Sequence, residues 1–326
     1  MNKSYFTRLL FGCILGCTML TFGQSKKLVR HGKKLTDPQK QIKLFTEAIQ
    51  LDKNNLDAYF HRGIARANKE DHWGAMLDFT TVIFSKPDAD SFFNRGNSKF
   101  AIEDFKGARN DYGMAIKLDR NFFQAYYNLG ITQLHLGEYK GALNSFNFLM
   151  RNYPNDPEII IQMAETLMGL KHYGLALLFF NKSINLDKNT NTYYNRGMAY
   201  LDMKQYKKAM ADFNMAIRLD NKNDAAHFYL GIAQLFTRNY TTAAERFKET
   251  LSYNSLDHEA LVGLAIAYYH TNEYDKARVC FKKAKNILIS YAPDYDFNDI
   301  SLFDSTTWNL NEGFIFGAYF DKLNTL

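Results

Sequence analysis

Small residues recur along this chain at a nearly fixed interval, and no other feature limits its fold so tightly. Gly63, Gly96, Gly130, Ala164, Gly197, Gly231 and Ala265 follow one another at 33 or 34 residues. Twelve positions after each stands an alanine: Ala75, Ala108, Ala142, Ala176, Ala209, Ala243 and Ala277. Four further on comes an aromatic: Phe79, Tyr112, Phe146, Phe180, Phe213, Phe247 and Phe281. Nine after each anchor lies His72, Phe105, Tyr139, Tyr173, Tyr206, Tyr240 or Tyr274. Self-similarity at such a period marks a stack of equal supersecondary units.

Each unit reads as two antiparallel helices. Only 5 Pro and 19 Gly occur in 326 residues, and Pro38, Pro87, Pro154, Pro157 and Pro293 leave room for whole helices between them. The glycine and alanine columns carry no large side chain because two helix axes must approach there, while the aromatic column fills the groove beside them. With 46% hydrophobic and 15% aromatic residues, low-complexity disorder is excluded for most of the chain.

These columns resemble those of the tetratricopeptide repeat family. With the anchors numbered position 8, the alanines fall at 20, the aromatics at 24, and Pro87 and Pro154 at 32. The resemblance covers seven repeats, 56–88, 89–122, 123–156, 157–189, 190–223, 224–257 and 258–289. It implies an all-α solenoid, a right-handed superhelix of antiparallel helix pairs. Position 7 is Arg62, Arg95 and Arg196 in three repeats where leucine is usual, and the fourth repeat departs most, with Ala164 as anchor and Ile160 in place of an aromatic.

At the front, Phe45 and Ala48 match positions 24 and 27, so 37–55 reads as a partial repeat, a second helix alone. Asp37-Pro38 is a suitable start for it, a capping carboxylate followed by proline in the first turn. Residues 24–36 form a basic arm in which a first helix would have to lie, as a short helix or a frayed end. At the back, 290–326 reads as an extension with a closing helix over Asn311–Leu323, carrying Phe314, Phe316, Tyr319 and Phe320. The rival is that this aromatic tail, with Trp308, docks in the groove or on another copy. Asp294, Asp296 and Asn298 have calcium-loop spacing, but Asp299 and Ser305 stand where such a loop needs glycine and glutamate.

Residues 1–23 read as an export signal: Lys3 and Arg8 lead an apolar stretch from Leu9 to Phe22, and Thr21 and Gly23 suit a cut before Gln24. Two alternatives stay open. Ile14-Leu15-Gly16-Cys17 resembles a bacterial lipobox whose cysteine, Cys17, is acylated, and the stretch could also remain as an anchor. The predicted place is therefore the periplasm or cell envelope, or outside the cell. Cys280 alone remains in the mature chain, so it has no partner for an intrachain disulfide and reads as a small apolar core residue.

The net charge of +6 is concentrated in the leader and residues 24–43, leaving the other 283 residues at −2. A near-neutral body argues against a nucleic-acid partner, while the basic arm or an acylated Cys17 would allow membrane-surface contact. No phosphate loop, nucleophile elbow, zinc-helix motif or paired Cys-x-x-Cys occurs, and the histidines are dispersed. The expectation is a non-enzymatic protein with no cofactor and no metal.

The resemblance implies that positions 2, 5, 6, 9, 12 and 13 of each first helix face a concave groove. Position 6 reads His61, Asn94, Asn128, Gln162, Asn195 and Tyr229, and position 5 includes Phe60, Phe93, Tyr127, Tyr194 and Phe228. Amides can pair with both groups of an extended backbone while aromatics take its apolar side chains. These eleven residues are the predicted contacts for a protein or peptide partner, although the same residue types also serve packing between repeats. The carboxylate clamp by which some members hold chaperone C-termini is excluded: its positions read Phe60, Ile64, Asn94, Gln124 and Asn128 in one frame, and no frame supplies a base. The function expected is a scaffold for a peptide segment of an envelope partner. Its alternatives are a lipid-anchored assembly factor for an outer-membrane complex and a structural protein self-associating through its tail.

Overall fold

A computed structural model of the chain describes residues 21–291, 322, 323 and 325. The leader up to residue 20 with Cys17, the calcium-like loop and nearly all of the expected closing helix lie outside the described residues. The chain falls into two compact units, Met1–Pro154 and Asn155–Leu326. The described part of each is a run of four antiparallel helix pairs.

The first unit contains α1 (21–32), α2 (Pro38–Leu51), α3 (Leu56–Ala67), α4 (His72–Ser85), α5 (Ala89–Ala101), α6 (Phe105–Leu118), α7 (Phe123–His135) and α8 (Tyr139–Asn152). The second contains α9 (Pro157–Gly169), α10 (Tyr173–Leu186), α11 (Thr190–Asp202), α12 (Tyr206–Leu219), α13 (Asp224–Phe236), α14 (Tyr240–Tyr253), α15 (His258–His270) and α16 (Tyr274–Tyr291). Within each unit, first helices also neighbour one another, α3 beside α5 and α5 beside α7, α9 beside α11 and α11 beside α13.

In the pairs with glycine at position 8, the contact that joins the helices is glycine backbone on an aromatic face. A methyl placed on Gly63 would lie 2.8 Å from the ring of Phe79, on Gly96 2.8 Å from Tyr112, on Gly130 2.5 Å from Phe146 and on Gly197 2.7 Å from Phe213. All four rings are buried. Such distances leave no room for a carbon, so the ring and the bare helix backbone meet directly.

Local signals place the ends of these helices. Asn55, Asp88, Asp156, Asn189, Asn223 and Asp257 each cap a first helix by accepting from the backbone N–H three residues on, at 2.8–3.1 Å. Phe122 occupies the same place before α7 and makes no such bond; its ring packs 4.8 Å from Phe93 instead. From α3–α4 onward the corner inside each pair is left-handed: Glu70, Glu103, Gly137, Lys171, Lys204, Arg238 and Asn272 all have φ between 57° and 68°. That conformation closes the first helix, as where Asp71 N–H reaches back to the Arg66 carbonyl at 3.0 Å.

One expectation is corrected. The partial repeat at 37–55 is not a lone second helix, because the basic arm supplies its partner as α1. Val29 packs in one core cluster with Phe45, Ala48 and Ile49. Gly32 lies against the Phe45 ring, where a methyl would come within 2.5 Å, and buried Ser25 donates to the Ala48 carbonyl at 2.8 Å. Gly32 precedes Gly63 by 31 residues and so falls outside the 33–34 interval of the other anchors. Lys26, Lys27 and Arg30 project from the exposed side of the helix.

The position-7 arginines are the second regular device. Arg62, Arg95 and Arg196 each form a two-pronged pair with Asp78, Asp111 and Asp212, at 2.6–2.9 Å. The three aspartates are buried. Each arginine also donates to the preceding repeat, to Thr46, Thr80 and Asn181 respectively, and its guanidinium lies over Tyr59, Phe92 or Tyr193. In the third repeat, where position 7 is Leu129, the place of the aspartate is taken by Ser145, which lies 3.0 Å from the Gln133 amide oxygen. Removing one partner of a buried pair strands the other charge. Arg196→Leu is therefore expected to destabilise the second unit by about 3 kcal/mol in urea unfolding, whereas Arg196→Leu with Asp212→Ser, the combination the third repeat uses, should recover most of that loss.

Candidate functional site

In the first unit the face formed by the first helices holds a cleft of about 320 Å³, lined by Asn97, Phe100, Tyr112, Tyr127, Asn128 and Ile131. The Tyr112 hydroxyl and the Asn128 amide both donate to Asn97 Oδ1, at 2.8 Å each. Burial pushes the Tyr112 hydroxyl well above its ordinary pKa, so it remains a donor throughout the usable pH range. With the Asn97 oxygen accepting twice, the Asn97 N–H groups and the Asn128 oxygen keep hydrogen-bonding capacity at a cleft that both residues line. Phe100, Tyr127 and Ile131 supply apolar walls. A shallower cleft of about 280 Å³ lies beside it in the chain, lined by Leu56, Asp57, Phe60, Val82, Lys86, Asp88 and Asp90.

Of the sequence-predicted contacts, Tyr127 and Asn128 meet in the first cleft and Phe60 lines the second. Asn94 bonds back to the Asp90 carbonyl of its own helix at 2.8 Å. His61 lies 3.1 Å from Asp57, which Lys33 also holds at 2.8 Å; burial, then Lys33, lowers the imidazole pKa and favours its neutral form. Phe93 packs on Phe122 and Tyr112.

In the second unit Asn195 donates to Glu165 at 2.6 Å, the same cross-repeat step that joins Asn128 to Asn97. Gln162 is half-buried, and its carbonyl accepts from the Thr166 hydroxyl at 2.7 Å. Tyr194 and Tyr229 are neighbours with ring centroids 5.8 Å apart, and burial, followed by Tyr229, raises the Tyr194 hydroxyl pKa. Phe228 corrects the sequence reading: it is 5% exposed, edge-on to Phe247 and Tyr229, and belongs to the core.

The position-5 aromatics share one arrangement. Phe60, Phe93, Tyr127, Tyr194 and Phe228 each pack on the position-24 ring of their own repeat, at 5.8–6.2 Å. All but the buried Phe228 are half core and half surface, and Asn128 and Asn195 likewise each spend one N–H on the neighbouring repeat. The position-13 residues stack on the preceding repeat: His135 on Phe105 at 4.7 Å, Phe236 on Tyr206 at 4.9 Å and His270 on Tyr240 at 4.1 Å. Both histidines of that column therefore have packing roles. Among the described residues no group of three or more His, Cys, Asp or Glu could hold a metal ion, and no helix is long and apolar enough to cross a membrane. Cys280 is half-buried, and burial pushes its thiol pKa up.

Asn97 and Glu165 were not singled out from sequence. Both occupy position 9, otherwise Ile64, Ile131, Met198, Ile232 and Ile266. A polar residue in that apolar column, one repeat before an asparagine at position 6, was the available signal. Burial raises the Glu165 pKa, and the Asn195 bond opposes the shift. A raised carboxyl pKa means that stability is complete below the ordinary value near 4.5 and falls as pH rises through the folded value. Glu165→Gln, which can still accept from Asn195, is expected to raise the thermal midpoint of the second unit at pH 7, with the difference from the parent shrinking toward pH 4.5.

Family models described as tetratricopeptide repeat match residues 124–156, 190–223 and 228–286, and one described as TPR repeat matches 96–137. Among solved structures, the C-terminal part of a TPR repeat-containing protein from Cytophaga hutchinsonii is 18% identical with a TM-score of 0.57, covering 74% of this chain and 99% of that one. A tetratricopeptide repeat protein from Parabacteroides merdae is 17% identical with a TM-score of 0.56, covering 77% and 99%. At such identities the likeness speaks for the fold alone. With the periodic columns, the paired helices and the matched repeats together, the chain belongs to the tetratricopeptide repeat proteins.

Proposed function

We propose that this protein is a non-enzymatic interaction scaffold that holds an extended peptide segment of a cell-envelope partner on the first-helix face of its first unit. The observation that carries this reading is the Asn97–Asn128 pair, which offers N–H and C=O groups side by side between Phe100, Tyr127 and Ile131. A peptide unit needs one acceptor and one donor at that spacing, and an apolar side chain of the ligand fills the remaining volume.

Peptides selected from a random library on the full chain are expected to bind Tyr127→Ala and Asn97→Ala about tenfold more weakly, with circular dichroism unchanged. Peptides that bind the parent and both variants equally would sink this reading.

Export through a cleaved leader fits the same proposal. The buried residues of α1 are Ser25, Val29 and Gly32, so a cut before Gln24 leaves every buried residue of that helix in place. Mass spectrometry of the mature N-terminus should find Gln24 first; an acylated Cys17 would instead support the lipid-anchored alternative.

A further inference from the structure

The helix α15 belongs to the last repeat pair, yet it is buried on every side. All residues from Ala260 to Tyr268 are buried. Positions 5 and 9, half-exposed as Phe60, Ile64, Tyr127 and Ile131 in the first unit, are here Val262 and Ile266, at 0% and 1% exposure. On α13 the same positions are the buried Phe228 and Ile232. The far side of α16 is open by contrast: Val279 is 67% exposed, and Lys282 and Lys283 are exposed beside it.

Among the described residues, one apolar side chain from beyond the repeats enters this core. Leu323, helical together with Lys322, is 3% exposed and shares a cluster with Phe228, Ile232, Val262 and Ile266. Lys322 lies close enough to His270 to help depress its imidazole pKa, after burial itself. His270 ends α15 and stacks on Tyr240.

We propose that the C-terminal segment ending at Leu323 lies on the first-helix face of α13 and α15 of its own chain, taking there the place that a partner peptide takes in the first unit. Thirty residues separate Tyr291 from Lys322. Extended, they reach up to about 100 Å, against roughly 27 Å for the 18 residues of α16, so the segment can return along the whole pair. Its sequence carries Phe314, Phe316, Tyr319 and Phe320 before Leu323, apolar rings to set on an apolar face. This inference stands whether or not the first unit binds a peptide.

Hydrogen exchange of the full chain and of full-length Leu323→Asp tests it. Amides of α13 and α15 are expected to exchange at least about tenfold faster in the variant, while α11 and the exposed side of α16 hold. In the parent, that protection should not depend on protein concentration. Loss confined to α16, or no loss, overturns the proposal. Protection that falls on dilution overturns it too, by assigning the face to the tail of a second copy. Should the variant unfold the last pair outright, a nitroxide on Lys322→Cys, with the native cysteines replaced by serine, decides: broadening centred on His270 and α15 supports the proposal, and broadening centred on Val279 and Lys283 refutes it.

Discussion

The repeats rest on one contact, the meeting of a small residue at position 8, glycine in five of seven, with a ring at position 24. The Gly63–Phe79, Gly96–Tyr112, Gly130–Phe146 and Gly197–Phe213 pairs place a ring where even a methyl would collide. This brings two helices within dispersion range along their length and buries the ring fully. What remains of each unit follows. The alanines at position 20 keep the crossing close, the position-5 aromatics lean on the buried ring, and position 6 is carried to the outer edge of the first helix.

On that frame the protein adds polar links between neighbours. The arginine at position 7 ties its own second helix through a buried aspartate and touches the previous repeat through a hydroxyl or amide. Asn97–Asn128 and Glu165–Asn195 make a second kind of link across the first helices. These bonds hold the amides in fixed orientations while leaving part of their hydrogen-bonding capacity unused. The first-helix face is thus organised by the same bonds that join one repeat to the next.

Period and small-residue columns made the helix pairs legible, because close packing tolerates few substitutions at position 8. The α1 pairing was legible only as a place, the basic arm where a first helix had to lie as a short helix or a frayed end: Gly32 breaks the interval, and a run of lysines hides Ser25, Leu28 and Val29 at helical spacing. The left-handed corner escaped as well, since six of its seven residues are not glycine and composition gives no sign of positive φ. In the site, residue type could not separate surface from core. Phe228 and Tyr127 occupy the same column, and only their neighbours decide that the first is enclosed while the second borders a cleft.

The charged side of α1 bears on how copies of this protein meet in solution. A pile of helical hairpins ends in an unfinished surface, and an unfinished surface invites another molecule to continue the pile. In the first described pair, α1 carries Lys26, Lys27 and Arg30 in solvent, with Lys40 and Lys43 exposed on α2. Two copies approaching head to head would bring cation against cation, a repulsion that acts over about 10 Å at ordinary ionic strength. Head-to-head contact of two copies through this face is thereby disfavoured electrostatically.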